Sequence, residues 1–183
     1  MKKIISLLTF TALTIVLLVV LYPALIWGIA RFSDNNGEGS LIRENGKIVG
    51  YHEIGQKFDK PNYFWGRPSA VDYNAAGSGG SNKGASNPEY LKTVEERITV
   101  FLKAHPYLKK SDIPVEMVTA SASGLDPNIS IEGALIQVKR VAKERKISEE
   151  KIKQLVEQNI QTAVTGPSII NVLELNVALD NIK

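Results

Sequence analysis

From Ile4 to Ala30 the chain carries no charged side chain, and only Ser6, Thr9, Thr11, Thr14 and Tyr22 bear polar groups. A helix crosses a hydrocarbon core of about 30 Å with roughly 20 apolar residues, and a lone segment in lipid pairs its own backbone groups only as a helix. This run of 27 residues therefore predicts a membrane anchor over 1–30, with a transmembrane helix at about 7–27. A cleaved signal peptide would have a shorter apolar region of about 7–15 residues ending in a small-x-small site. Trp27-Gly28-Ile29-Ala30 is a poor site of that kind. Lys2 and Lys3 lie before the run, whereas Arg31 is soon followed by Asp34 and Glu38. The positive-inside tendency then puts the N-terminus in the cytoplasm and residues 31–183 outside, with Tyr22 and Trp27 at the outer aromatic belt.

The absence of cysteine excludes disulfides and thiolate metal sites. Setting aside Lys2 and Lys3, 20 basic side chains face 19 acidic ones. So balanced a domain has no electrostatic footprint for nucleic acid. Residues 31–46 are rich in turn formers and read as a linker, which leaves 47–183 for one extracytoplasmic domain with one core. Lys47 to Phe58 alternates well enough for one or two short strands broken at Gly50 and Gly55. Asn87-Pro88 starts a helix that carries Tyr90, Leu91, Val94, Ile98, Phe101 and Leu102 at helical spacing. Val115 to Ala120 reads as a strand. Ser130 caps a helix with an apolar stripe at Ile131, Ala134, Leu135, Val138, Val141 and Ala142, and Ser148 opens another with Ile152, Leu155, Val156 and Ile160 inward. In Ser168 to Ile182 alternation and helical spacing compete. The fold class expected is α+β: one N-terminal transmembrane helix followed by a single α+β domain.

Signals for chemistry are weak. Gly77 to Gly84, "GSGGSNKG", lacks the second glycine and the hydroxyl of a phosphate-binding loop. His52 and His105 stand far apart, so no metal site is expected. Ser69, Ser121 or Ser123 with Lys139 or Lys143 could form a Ser–Lys hydrolase pair, but none of these three serines lies in a G-x-S-x-G or S-x-x-K signature. Lys139, Arg140, Lys143, Arg145 and Lys146 read as a solvated basic face. Two segments suit a partner interface: Tyr63, Phe64 and Trp65 with Arg67 and Pro68, and the tight turn Gly124, Leu125, Asp126 and Pro127. Phe64 and Trp65 serve equally well as core residues.

Several uncommon strings occur in order along the chain: "GQKFDKPNYFWGRPSA" (55–70), "SGGSNKGASNP" (78–88), "IPVEMVTASASGLDPNIS" (113–130), "QVKRVAKER" (137–145) and "INVLELNVALD" (170–180). On these the chain resembles the C subunit of the bacterial high-affinity potassium-transporting P-type ATPase, the KdpC family of the Kdp complex. The resemblance implies a subunit of the plasma (inner) membrane with no catalysis and no cofactor of its own. Its implied partners are a potassium-channel-like subunit, an ATP-hydrolysing P-type subunit and the lipid bilayer. The D-K-T-G-T phosphorylation motif of such pumps is missing here. The family is described as a catalytic chaperone that raises ATP affinity, with a glutamine at the position of Gln137 linked to the nucleotide. The topology expected above puts Gln137 across the bilayer from cytoplasmic ATP, which favours an assembly role and indirect coupling. A membrane-anchored hydrolase and a free-standing ligand-binding module are the alternatives.

Overall fold

The computed structural model describes residues 1–162 and 165–182, apart from the side chain of Asp34. The chain divides into two compact units, Met1–Leu41 and Ile42–Lys183.

The first unit is dominated by a continuous helix, Lys2–Ala30. It comprises α1 (Lys2–Ile15), a wider π-helical stretch (Val16–Leu21) and α2 (Tyr22–Ala30). Its apolar side chains point outward on every side, among them Leu7, Phe10, Leu13, Val19 and Leu25. A helix hydrophobic all round, none of whose residues is buried, fits a lipid environment. Ser33 Oγ donates to the Ala30 carbonyl at 2.7 Å and closes the helix end.

A hairpin follows, β1 (Leu41–Glu44) and β2 (Lys47–Tyr51), of which all but Leu41 belongs to the second unit. Asn45 and Gly46 both take positive φ, 49° and 77°. That is the type I′ geometry whose twist matches paired strands, so the stretch expected to be linker up to residue 46 ends in a strand and a turn. The helix α3 (Pro88–Ala104) starts as its sequence predicts: Asn87 Oδ1 accepts from Tyr90 N at 3.0 Å, with proline in the first turn. Ile98 and Phe101 are buried, while Leu91 is exposed.

Val115 to Ala120 is not a strand. Val115–Met117 is a 3-10 turn, and Met117, Val118 and Thr119 donate back to Pro114 and Val115 carbonyls. Thr119 Oγ1 adds a bond to the Val115 carbonyl at 2.8 Å. Local turn bonds therefore take the groups a ladder would have used.

The strand β3 (Asn128–Ser130) pairs antiparallel with β4 (Ile169–Asn171), with Ile129 opposite Ile170. Ser130 and Ser148 cap the following helices as expected. The first is split, however, into α4 (Ile131–Leu135) and α5 (Val138–Arg145). Tyr107 bridges the break: its hydroxyl donates to the Ile136 carbonyl at 2.8 Å and accepts from Arg140 N at 3.2 Å. After α6 (Glu149–Gln158) and β4, the chain turns straight into α7 (Val172–Asp180), capped by Asn171 Oδ1 on Glu174 N. The competing periodicities of this region thus both operate, one after the other. Phe64, Phe101, Met117, Ile129, Val141, Ile152, Val156, Ile170, Leu175 and Leu179 form one core.

Candidate functional site

Residues 60–65 adopt no regular structure, yet each of their carbonyls accepts a side-chain hydrogen bond. Lys60 receives Trp65 Nε1 (2.9 Å) and Asn62 receives Arg145 Nε (2.8 Å). Pro61 and Tyr63 share Arg140 Nη1, the latter at 2.9 Å. Asn176 brackets Phe64, accepting from its N at 2.9 Å and donating to its carbonyl at 3.0 Å. Gln137 brackets Trp65 in the same way: Oε1 accepts from Trp65 N (2.8 Å) and Nε2 donates to its carbonyl (3.1 Å). Each carboxamide thus gives one residue's N–H and carbonyl the partners that regular structure would otherwise supply.

Gln137 is wholly buried and fully occupied. Its Oε1 also accepts from Arg140 Nη2 (2.7 Å), and its Nε2 also donates to the Gly133 carbonyl (2.9 Å). Two acceptor and two donor positions are the whole capacity of a carboxamide. Arg140, expected on a solvated face, is only 4% exposed. Its guanidinium lies over the Trp65 ring at 4.4 Å, and its Nε donates to His105 Nε2 at 2.8 Å. Burial pulls its pKa down to about 10, still high enough to keep the charge at neutral pH. His105 is also buried. Its Nδ1–H donates to the Phe101 carbonyl (2.8 Å), which leaves Nε2 to accept from Arg140. Burial, opposed by that carbonyl and reinforced by the Arg140 charge, pulls its pKa down to about 4.

The second expected segment meets the first. Arg67 Nη1 pairs with Asp126 Oδ2 at 2.8 Å, and Ser121 N donates to the Pro68 carbonyl at 3.1 Å. Ser69 Oγ donates to the Gly124 carbonyl (2.7 Å) and accepts from Val71 N and Tyr73 N. The Leu125 carbonyl accepts from Gly55 N and the Pro127 carbonyl from Val172 N. Gly124 sits at φ +68°, where a Cβ would come within 2.6 Å of Val71 Cγ2 and 2.8 Å of the Gly79 carbonyl. Tyr73, which donates to the Arg67 carbonyl, has its pKa pushed up to about 12 by burial and by the nearby Asp126 charge.

Of the nine residues expected at a partner surface, Phe64 is wholly buried and serves the core. Tyr63, Trp65, Arg67, Pro68, Leu125, Asp126 and Pro127 are half-buried, and Gly124 is buried. Trp65, Arg67 and Pro68 line a cleft of about 530 Å³ between the 57–73 loop and α3, floored by Phe101 and Met117.

The serines hold this loop assembly together. The Ser69 hydroxyl proton goes to Gly124, Ser121 is buried, and Lys139 Nζ lies over the Tyr107 ring at 5.1 Å. Among the described residues no serine hydroxyl is hydrogen-bonded to a lysine ammonium group, and no three His, Asp or Glu side chains gather as a metal set. The sequence reading missed the clamps from Arg140, Arg145 and Asn176. A signal existed: Asn176 falls in phase with Val172 and Leu179, and Gln137 in phase with Ala134 and Val141. Polar residues on an inward face are the informative ones.

The profile of the family described as the K+-transporting ATPase c chain, KdpC, matches residues 4–181. The chain belongs to the KdpC family. It is 66% identical to a potassium-transporting ATPase KdpC subunit of Flavobacterium johnsoniae over the full length of both chains. A KdpC subunit of Bacteroides thetaiotaomicron is 46% identical, again with both chains wholly covered. One from Caldanaerobacter subterraneus is 47% identical over 93% of this chain and 90% of its own length.

Proposed function

We propose that this chain is the non-catalytic accessory subunit of an ATP-driven potassium import complex. Lys2–Ala30 crosses the bacterial plasma membrane once, with the N-terminus in the cytoplasm and residues 42–183 outside. A channel-like subunit and an ATP-hydrolysing subunit are its partners there. The observation that carries this reading is the 29-residue apolar helix, with none of its spanning window buried, in a chain matched to the c chain family over 4–181.

The role is assembly and stabilisation. The half-exposed surface at Arg67, Pro68, Leu125, Asp126 and Pro127, beside the cleft against α3, is the expected contact with the channel-like partner. Its rigidity favours recognition, because an ordered loop loses little entropy on binding. Any rise in ATP affinity reaches the hydrolysing subunit as coupling between sites. The saturated amide of Gln137 supports this, since a nucleotide would have to break four internal hydrogen bonds to use it.

The chain has no cysteine, which makes the test direct. A single cysteine replacing Lys139 is labelled in intact cells with a membrane-impermeant maleimide, and potassium-dependent ATPase activity is measured with and without this subunit. Labelling from outside and loss of activity without the subunit are expected. Labelling only after the cytoplasmic side is opened, or full activity from the partners alone, overturns the reading.

A further inference from the structure

The apolar helix changes its winding at its centre. Tyr22 N–H donates to the Leu17 carbonyl, five residues back, rather than to Leu18, four back. In this wider register the donor for the Leu18 carbonyl would come from residue 23. Residue 23 is proline and has no N–H. The Leu18 carbonyl therefore has no backbone donor in either register.

Nothing nearby in the chain replaces it. Leu17, Leu18, Val19, Val20 and Leu21 carry no polar side-chain atom. The hydroxyl of Thr14, one turn earlier, donates to the Phe10 carbonyl at 2.9 Å. Water would satisfy such an acceptor on a soluble helix. In hydrocarbon there is no water, and freed backbone groups at proline sites are re-satisfied by neighbouring helices. Short π-helical insertions inside α-helices also concentrate at functional positions.

We propose that the Leu18 carbonyl is a docking point for a hydrogen-bond donor, a hydroxyl or carboxamide, on a membrane helix of another subunit. The inference rests on the reading that Lys2–Ala30 spans the bilayer. A second, parallel copy of this chain is a poor occupant, because Leu17 to Leu21 carry no donor and the nearest hydroxyl, that of Tyr22, belongs to a side chain expected at the outer aromatic belt. A helix from a different subunit can bring Ser, Thr, Asn or Gln, the side chains that bond across helices in lipid. The partner it fits is therefore a polar-bearing helix whose donor lies level with the proline break.

The test uses the full chain, prepared by semisynthesis with a carbon-13, oxygen-18 carbonyl at Leu18 and placed in lipid bilayers alone or assembled with its partner subunits. The infrared band of the labelled carbonyl is expected at high frequency in the isolated chain and at lower frequency in the complex. An unchanged high frequency on assembly overturns the docking proposal and leaves the membrane span intact. A band already low in the isolated chain, and sensitive to heavy water, overturns the span itself. Pro23→Ala restores a donor to the helix, so retention of the partners should fall by about three- to tenfold, while Leu25→Ala changes it less than about twofold. Full retention by Pro23→Ala counts against the proposal.

Discussion

Replacing Gln137 by leucine removes one side chain and strands four groups: the Trp65 N–H, the Trp65 carbonyl, the Gly133 carbonyl and one arm of the Arg140 guanidinium. Leucine is close to glutamine in size, so the change is electrostatic more than steric. A buried polar group left unpaired costs about 1–3 kcal/mol, toward the upper end where a charge is involved. With some relaxation the loss is on the order of 4–6 kcal/mol. A domain of this size is stable by only about 5–15 kcal/mol, so the variant should lie at the edge of unfolding. Gln137→Glu keeps both acceptor bonds and gains a charge beside Arg140, but turns a carboxylate oxygen toward two carbonyls. Its loss should be smaller. The measurement is urea unfolding followed by fluorescence in a Trp27→Phe background, so that Trp65 alone reports. A loss below about 1 kcal/mol with unchanged Trp65 emission would refute the claim that this amide holds the loop.

Three further outcomes follow from the geometry. His105 is held neutral in the fold with a pKa of about 4 against an ordinary 6.5, so the unfolded chain binds the extra proton between those values. Stability is full above pH 6.5 and declines as pH falls toward 4, by up to about 3 kcal/mol; urea midpoints across that range should show the slope, and His105→Gln should flatten it. Gly124→Ala combines a left-handed backbone with contacts of 2.6 and 2.8 Å, which should cost about 2–4 kcal/mol in thermal unfolding. Lys146 ends α5 in the left-handed region at φ 58°, a position suited to glycine. Lys146→Gly should therefore raise stability by about 0.5–1 kcal/mol, seen as a higher melting temperature.

Local chemistry was the most legible part of this molecule. Asn87, Ser130 and Ser148 cap the helices they precede because a short side-chain acceptor next to an amphipathic run needs no tertiary help. Asn45-Gly46 was equally readable as a hairpin turn, yet its polar surroundings make it look like linker. Val115 to Ala120 misleads because six residues are too few for periodicity to separate a strand from a wound turn. The site was the least legible. Tyr63 to Trp65 look like an exposed aromatic patch because their clamps lie far along the chain: Gln137 is 72 residues from Trp65, and Asn176 is 112 from Phe64. Arg140 and Arg145 look solvated for the same reason, since the carbonyls that receive them belong to a distant loop.

The clamped loop also dictates an order of events in biogenesis. A ribosome releases residues 60–65 long before α5, and α5 before α7. Until Asn176 arrives, the Phe64 peptide has no protein partner, and closing so long a loop is entropically slow. The centre of this fold is thus assembled only after α7 has been made. A nascent chain cut short before α7 would leave its aromatic heart open to any passing surface.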